Sequence, residues 1–490
     1  MKGPKPLDFL WLVTGALAFA FVGWKWNTAA AAWIAPAVLI RFFRNQARWL
    51  ATLAALPLLV LASFAKFTGT WGAVIGPWTE LAVSPLLCLP LVAALYADRY
   101  FHHRRFGRLL STLIFPATYT TLDFLLGLAP GLGTGGSLGV TQFFFTSVMQ
   151  LATVTGVWGI SFLIGWTASC LNTWGEHGFG VGREARPALV CLLSCIGLVA
   201  AGGVRLALSA PASRTVKIAG ISVAHPRNYW DLILDRAVPA GEAAQYKREF
   251  SRVEEELFRR SLAAAQGEAK IVFWSEGNLF VYEDQLADFL ERAGKFARAN
   301  EIYFAPSLQV LSYGSSLNDN RSVMIGPDGR IAYTYFKALS LYPTVSDRVI
   351  RFVDTPYGRV GSAICFDLDF PAYLRQAGRK RIDILLAPAF DARGGAPFHT
   401  FVGLIRGIEN GFSVFRQVNE GTSMAIDAQG RVLARQDFFS SPDCLLYADV
   451  PTRGGRRAYT FAGDWLAYAA GAFMVAALAW QLWRQPRRRS

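Results

Sequence analysis

Three residues in the second half of the chain have the types and setting that acyl chemistry requires. Glu276 closes the apolar run Ile271-Val272-Phe273-Trp274-Ser275, Lys337 closes Tyr333-Thr334-Tyr335-Phe336, and Cys365 follows Val360-Gly361-Ser362-Ala363-Ile364. A carboxylate, an ammonium and a thiol, each at the end of a strand-like run, supply a base, an electrostatic clamp and a nucleophile for attack on an acyl carbon. A free thiol with a pKa of about 8.5 is mostly protonated near neutrality, so it needs a base and a cation beside it. Singly, a glutamate at a strand end or a lysine is usually a solvated charge, and a buried cysteine usually packs as a small hydrophobe. Their order and company favour chemistry.

The elements that must position them form a layered domain. Val216 to Val223 reads as a strand, and Glu242 to Ala265 as a helix with Phe250, Val253, Leu257 and Leu262 recurring at helical spacing. Ile271 to Trp274 and Ile302 to Ser307 read as strands separated by a helix over 286–299. Arg321 to Ile325 and Ile331 to Phe336 flank Gly326-Pro327-Asp328-Gly329, a hairpin signal. Further strands are expected at Val360 to Phe366, Ile382 to Ala387, Ser413 to Val418, Met424 to Asp427 and Leu445 to Val450. Strands alternating with helices give an α/β domain of about 240 residues, over 215–455.

The remaining chain is too apolar for water. With 490 residues, 53% of them hydrophobic, and a mean hydropathy of +0.28, a membrane part is expected. Apolar runs of the roughly 17–25 residues that cross a bilayer are placed at about 8–24, 28–43, 49–66, 82–98, 108–127, 151–171, 187–208 and 462–483. The expected organisation is a multi-span α-helical bundle of about seven spans over 1–210, the α/β domain, one returning span at 462–483 and a basic tail at 484–490. Lys2 and Lys5 ahead of an apolar stretch also fit a secretory signal, but signals are rarely followed by a whole bundle.

Basic residues in short connections tend to stay cytoplasmic. With the N-terminus inside, the inner segments carry Lys2, Lys5, Arg41, Arg44, Arg48, Arg99, Arg104, Arg105, Arg108, Arg183, Arg186, Arg484, Arg487, Arg488 and Arg489, whereas the outer connections carry only Lys25 and Lys66. Both termini are therefore expected in the cytoplasm and the α/β domain outside, with Arg205 and Arg214 weakening the bias without reversing it. The net charge of +14 then reflects membrane flanks rather than nucleic-acid binding, since no basic patch with interleaved aromatics occurs in the α/β part. Of six cysteines, only Cys365 and Cys444 lie outside the expected spans. That pair could bridge in an oxidising compartment; Cys191 and Cys195 share a helix face but lack His or acidic partners, so they read as packing residues. The apolar loops 67–81 and 127–150 are expected outside, either lining a lateral lipid entrance or anchoring at the interface.

The order Glu276, Lys337, Cys365 resembles the nitrilase superfamily of carbon-nitrogen hydrolases, and more narrowly the apolipoprotein N-acyltransferase family. The likeness covers nearly the whole chain: Gln150 to Leu163 in the membrane part, then Tyr229-Trp230-Asp231, Trp274-Ser275-Glu276, Ile364-Cys365-Phe366-Asp367, Arg406-Gly407-Ile408-Glu409-Asn410-Gly411 and Arg416-Gln417-Val418-Asn419-Glu420-Gly421. The resemblance implies an αββα sandwich between the seventh and eighth spans of a bacterial inner-membrane protein. It implies transfer of an acyl chain from a phospholipid through a Cys365 thioester to the N-terminal amine of a diacylated lipoprotein. Glu276 would be the base, and Lys337 with a backbone N–H the oxyanion clamp. Trp230, Phe366, Asp367 and Glu409 are the expected substrate-binding residues by matching position; Trp230 reads equally as an interfacial aromatic. No cofactor or metal is expected, and the chain is expected to be a monomer.

The sequence also departs from that family. Lys337 is followed by Ala338-Leu339-Ser340-Leu341-Tyr342-Pro343-Thr344-Val345-Ser346-Asp347, without the glutamate that supports the lysine in the family, leaving Asp347 as the candidate replacement. Phe366 and Asp367 stand where Tyr and Glu are usual, and Ala387-Pro388-Ala389-Phe390-Asp391 replaces an Asn-Asp-x-Trp-Phe run. Two alternatives follow: a membrane-tethered amidase in which water resolves the thioester, and a catalytically idle homologue that binds lipids or lipoproteins. The intact Glu276, Lys337 and Cys365 argue against the second.

Overall fold

Strand alternation places Phe273 and Trp274 on opposite faces of one sheet, and the two faces pack against different layers. Phe273 meets Phe415 of a second sheet edge-on at 5.1 Å, while Trp274 meets Phe258 of a covering helix edge-on at 5.6 Å and donates from Nε1 to Ser261 Oγ at 2.9 Å. The computed structural model describes residues 6–484 apart from 47, 71–75, 104, 105, 107, 184, 210–213, 226–231, 233–241, 312–316, 341, 392 and 441–443. The chain divides into two units, Met1–Ser209 with Ala462–Ser490, and Ala210–Phe461.

The second unit is an αββα sandwich. Its first sheet has the order β14-β1-β2-β4-β6-β5-β3 with β7 paired to β6. These strands are β1 Thr215–Ile221, β2 Ile271–Trp274, β3 Leu279–Tyr282, β4 Tyr303–Ala305, β5 Ser307–Leu311, β6 Asp319–Ile325, β7 Ile331–Phe336 and β14 Leu445–Pro451. The second sheet runs β13-β12-β11-β10-β9-β8. It comprises β8 Phe352–Thr355, β9 Gly358–Ser362, β10 Ile384–Phe390, β11 Ser413–Asn419, β12 Thr422–Ile426 and β13 Val432–Asp437. Helices Ala243–Gln266 and Leu286–Ala299 cover the first sheet, with Val253, Leu257, Phe289, Ala293 and Ala297 packed on Val272, Trp274 and Phe304. Helices Pro371–Arg379 and Phe398–Asn410 belong to the second half of the sandwich. Parallel neighbours β1–β2–β4 and β9–β10–β11 have strands buried on both faces, which is why β2, β10 and β11 read as near-continuous apolar runs.

The first unit is built of helices: Pro6–Ala20, Ala29–Asn45, Arg48–Phe67, Pro77–His103, Ile114–Gly127, Val157–Glu176, Arg186–Leu208 and Trp465–Arg484 overlap the eight expected runs. Among the described residues, four stretches are long and apolar enough to cross a bilayer: Pro77–His102, Leu109–Gly127, Arg186–Leu208 and Trp465–Arg484. A bent pair makes a fifth. Fewer than eight pass because the other helices are short: Ala29–Asn45 has 17 residues, and the apolar stretches Phe9–Ala20 and Ala51–Phe67 are shorter than the four spans, the first rising only roughly 18 Å at helical pitch. The expected run 151–171 is not one straight helix. Thr146–Thr155 meets Val157–Glu176 at 119°, because Gly156 adopts φ 66° and ψ −174°, a region essentially open to glycine alone. Trp78, Leu208 and Trp483 are 82%, 81% and 78% exposed, the outward apolar surface of a membrane-associated bundle. Arg44, buried in the bundle, is paired: it donates to both oxygens of Asp98 at 2.7 and 2.8 Å and to Glu176 at 3.2 Å.

Candidate active site

Glu276 lies two residues past the end of β2, in the turn that precedes β3, where Gly277 takes φ 52°. The turn is anchored to the end of β1 by Asn278, which accepts from Val223 N–H and donates to Val223 C=O, both at 2.8 Å. The Glu276 carboxylate is buried and fully directed. Oε1 accepts from Lys337 Nζ at 2.5 Å and from Asn320 Nδ2 at 2.9 Å, and Oε2 accepts from Phe390 N–H at 2.9 Å. Lys337 follows β7, and its backbone N–H donates to Asn320 C=O at 2.8 Å, so Asn320 on β6 fixes base and lysine together.

Cys365 does not lie inside a strand, as the expected run Val360 to Phe366 implies, but three residues beyond β9 at the start of a 3-10 turn, Cys365–Asp369. Its φ of 47° is unusual for a residue with a side chain, and such backbone is held only where surroundings over-determine it. The holding group is Asp367. Its Oδ2 accepts from Ile364 N–H at 3.0 Å and Tyr335 O–H at 2.7 Å, and Oδ1 from Ala338 and Leu339 N–H at 3.0 and 2.7 Å. One buried carboxylate thus joins the cysteine turn to the backbone just after Lys337. All four lone-pair directions of the Asp367 carboxylate, a residue expected to bind substrate, are used within the protein. Burial raises its carboxyl to about 6, offset in part by Tyr335 and the Ile364 N–H. Asp367→Asn would set an NH2 group against two donors and is expected to lower stability by about 1–3 kcal/mol. A thermal-unfolding midpoint equal to wild type would show that these four bonds contribute nothing.

Asp347 does not stand in for the absent loop glutamate: it accepts from Val349 N–H at 3.1 Å and pairs with Arg351 near the surface. Phe366 is half-buried beside the sulfur-bearing residue, edge-on to Phe370 at 5.1 Å. Glu409 is wholly buried on the helix Phe398–Asn410 and pairs with Arg406 at 3.2 Å, a place in the helix layer rather than at the sulfur. Trp230 lies outside the described residues.

The end of β10 joins this triad to a second charged group that sequence reasoning missed. Phe390 C=O accepts from the Cys365 thiol at 3.5 Å. The next residue, Asp391, accepts from Arg416 Nη1 and Nη2 at 2.7 and 2.9 Å and meets His399 Nδ1 at 2.7 Å. His399 Nε2 meets Asp369 Oδ1 at 3.0 Å, and Arg416 Nη2 lies 4.0 Å from Cys365 Sγ. A signal was available: Arg416 interrupts an apolar strand, and a charge buried there must find partners. Cys365, Asp391 and His399 offer metal-type donors within 4.8 Å of one another. The Arg416 guanidinium already occupies both Asp391 oxygens, so the arrangement is an ion network rather than an open coordination site.

The electrostatics assign protons. Burial opposes the charge on Lys337 but is outweighed by Glu276 and Cys365, and its ammonium is held above the usual range. Burial and the Glu276 charge push the Cys365 thiol well up, against the pull of Lys337 and Arg416. At rest the sulfur is a thiol beside a Glu276–Lys337 ion pair. Such a site can transfer the thiol proton to a carboxylate as sulfur attacks, with an ammonium nearby for the developing oxyanion.

Residues 242–458 match the carbon-nitrogen hydrolase family, a segment that includes Glu276, Lys337 and Cys365. The second unit is a carbon-nitrogen hydrolase domain. Over 86% of its length the chain is 26% identical to the apolipoprotein N-acyltransferase of Geobacter metallireducens, covering 83% of that protein. A probable hydrolase, nit2, of Schizosaccharomyces pombe is 26% identical over 39% of this chain and 82% of its own length. A solved amidase from Nesterenkonia sp. shares 16% identity over 54% of this chain and 98% of its own, with a TM-score of 0.39.

Proposed function

We propose that this chain is a membrane-embedded N-acyltransferase that moves a fatty acyl chain from a phospholipid, through a thioester on Cys365, to the N-terminal amine of S-diacylglyceryl-cysteine in lipoproteins. The observation that carries the reading is that similarity to an apolipoprotein N-acyltransferase extends over 86% of the chain, membrane helices included, whereas similarity to the S. pombe hydrolase is confined to 39%. A bundle is needed for lipid substrates and is dispensable for a hydrolase of small amides.

In this mechanism Glu276 takes the Cys365 proton while sulfur attacks the ester carbonyl, and the oxyanion forms beside Lys337. Collapse breaks the ester C–O bond; the lysophospholipid alkoxide takes the proton from Glu276 and leaves. The α-amine then attacks the thioester and gives its proton to Glu276, and the amide forms as the thiolate departs and is reprotonated. The distribution of basic residues supports cytoplasmic termini and a catalytic domain beyond the inner membrane.

Purified protein incubated with phosphatidylethanolamine is expected to gain the mass of one acyl chain on Cys365. A diacylated lipopeptide should then discharge it much faster than buffer alone. Equal release as free fatty acid in buffer would identify a hydrolase instead, and absence of any adduct would overturn the thioester.

A further inference from the structure

The ion network beside Cys365, made by Asp369, Asp391, His399 and Arg416, has no part in the mechanism above, and His399 is its one imidazole. His399 is held on two sides, by Asp391 at 2.7 Å and Asp369 at 3.0 Å, and a ring nitrogen lies within 4.8 Å of both Cys365 Sγ and an Asp391 oxygen. The groups facing it come from separate elements: Asp369 from the cysteine turn, Asp391 from the end of β10, and Arg416 from β11, with Nη2 3.2 Å from His399 Nδ1. A neutral ring with its proton on Nε2 could accept from Arg416 at Nδ1, but would set that lone pair against Asp391 Oδ1 at 2.7 Å, the shorter contact; an imidazolium donates to both carboxylates.

We propose that His399 is a positioning residue that, as an imidazolium clamped between Asp369 and Asp391, stands with Arg416 as a second cationic wall beside the sulfur and favours its anionic form during attack and departure. This rests on Cys365 being the nucleophile. The physical need is specific to this site: burial and Glu276 both oppose a thiolate, and Lys337 is already paired with Glu276 at 2.5 Å, so a further positive charge is required. Asp369 and Asp391 balance the charges of His399 and Arg416, so a neutral His399 would leave two carboxylates facing one guanidinium beside the sulfur and disfavour its anion. The two carboxylates also outweigh burial and raise His399 to about 9, so the imidazolium persists through neutral pH and is lost above it.

The test uses the full chain in detergent, following iodoacetamide alkylation of Cys365 by peptide mass spectrometry against pH in wild type, His399→Gln and His399→Asn. The neutral amides retain a hydrogen bond to one carboxylate without the charge. Both are expected to alkylate about tenfold more slowly near neutral pH, with the profile shifted up by about one unit. Unchanged profiles in both would overturn the proposal, whatever happens to their melting temperatures. If neither variant folds, Asp369→Asn decides: removing one carboxylate should move the alkaline fall in wild-type kcat/KM to lower pH, and an unmoved limb would refute the assignment. Alkylation needs no acyl donor, so it reads sulfur ionisation even if no acyl adduct forms and the acyltransferase reading fails.

Discussion

Cys365→Ala is expected to abolish acyl transfer, with turnover falling by about 10⁴-fold or more and the acyl adduct disappearing. The reason is chemical: no other thiol can take its place. Cys88, Cys170, Cys191, Cys195 and Cys444 are all buried, and among the described residues only Cys365 sits beside Glu276 and Lys337. The fold should survive, because among the described residues the hydrogen-bond contacts of the sulfur are long, 3.5 Å to Phe390 C=O and 4.0 Å to Arg416, while the turn is held by Asp367 through backbone bonds that alanine retains. Retained binding of lipopeptide by the inactive variant would separate recognition from turnover. An alanine variant that still transfers acyl chains at wild-type rate would remove the nucleophile assignment altogether.

Glu276→Gln is expected to lower kcat by about 10²–10⁴-fold, with a smaller change in KM. Gln keeps the volume and can still accept from Asn320 or Lys337, yet it cannot take the thiol proton. It also leaves Lys337 without its ion-pair partner in a buried site, so the lysine charge is less favoured than in wild type. Single-turnover measurement of acyl-adduct formation would show the defect in the first half-reaction. Adduct formation at the wild-type rate would exclude Glu276 as the base. Because Oε2 also holds Phe390 N–H at 2.9 Å, the same substitution reports on how firmly the end of β10 must be kept for the thiol to find its acceptor.

Much of the second unit was legible from local pattern. The helix expected over 286–299 and the strand Ile271 to Trp274 coincide with the observed elements, because period and length are unambiguous there. Other strands escaped. The expected strand Ile302 to Ser307 is two, β4 and β5, with Pro306 between them pairing through its C=O with Val323 N–H. Strands β3, β8 and β13 were not expected; β8 and β13 are largely half-exposed, without the continuous apolar run that marks β2. In the bundle, apolar length located the helices but not the 119° bend, which depends on one glycine's backbone.

Residue type and order alone marked Glu276, Lys337 and Cys365, because a carboxylate, an ammonium and a thiol at strand ends carry recognisable chemistry however the chain is folded. Only the tertiary structure decided how they are held. Asn320 and the Phe390 N–H orient the base, Asp367 ties the cysteine turn to the lysine loop, and Asp369, Asp391, His399 and Arg416 meet beside the sulfur. Those partners come from segments far apart in sequence, and a hydrogen bond between buried groups is set by where two sheets bring their strand ends, which no local spacing encodes.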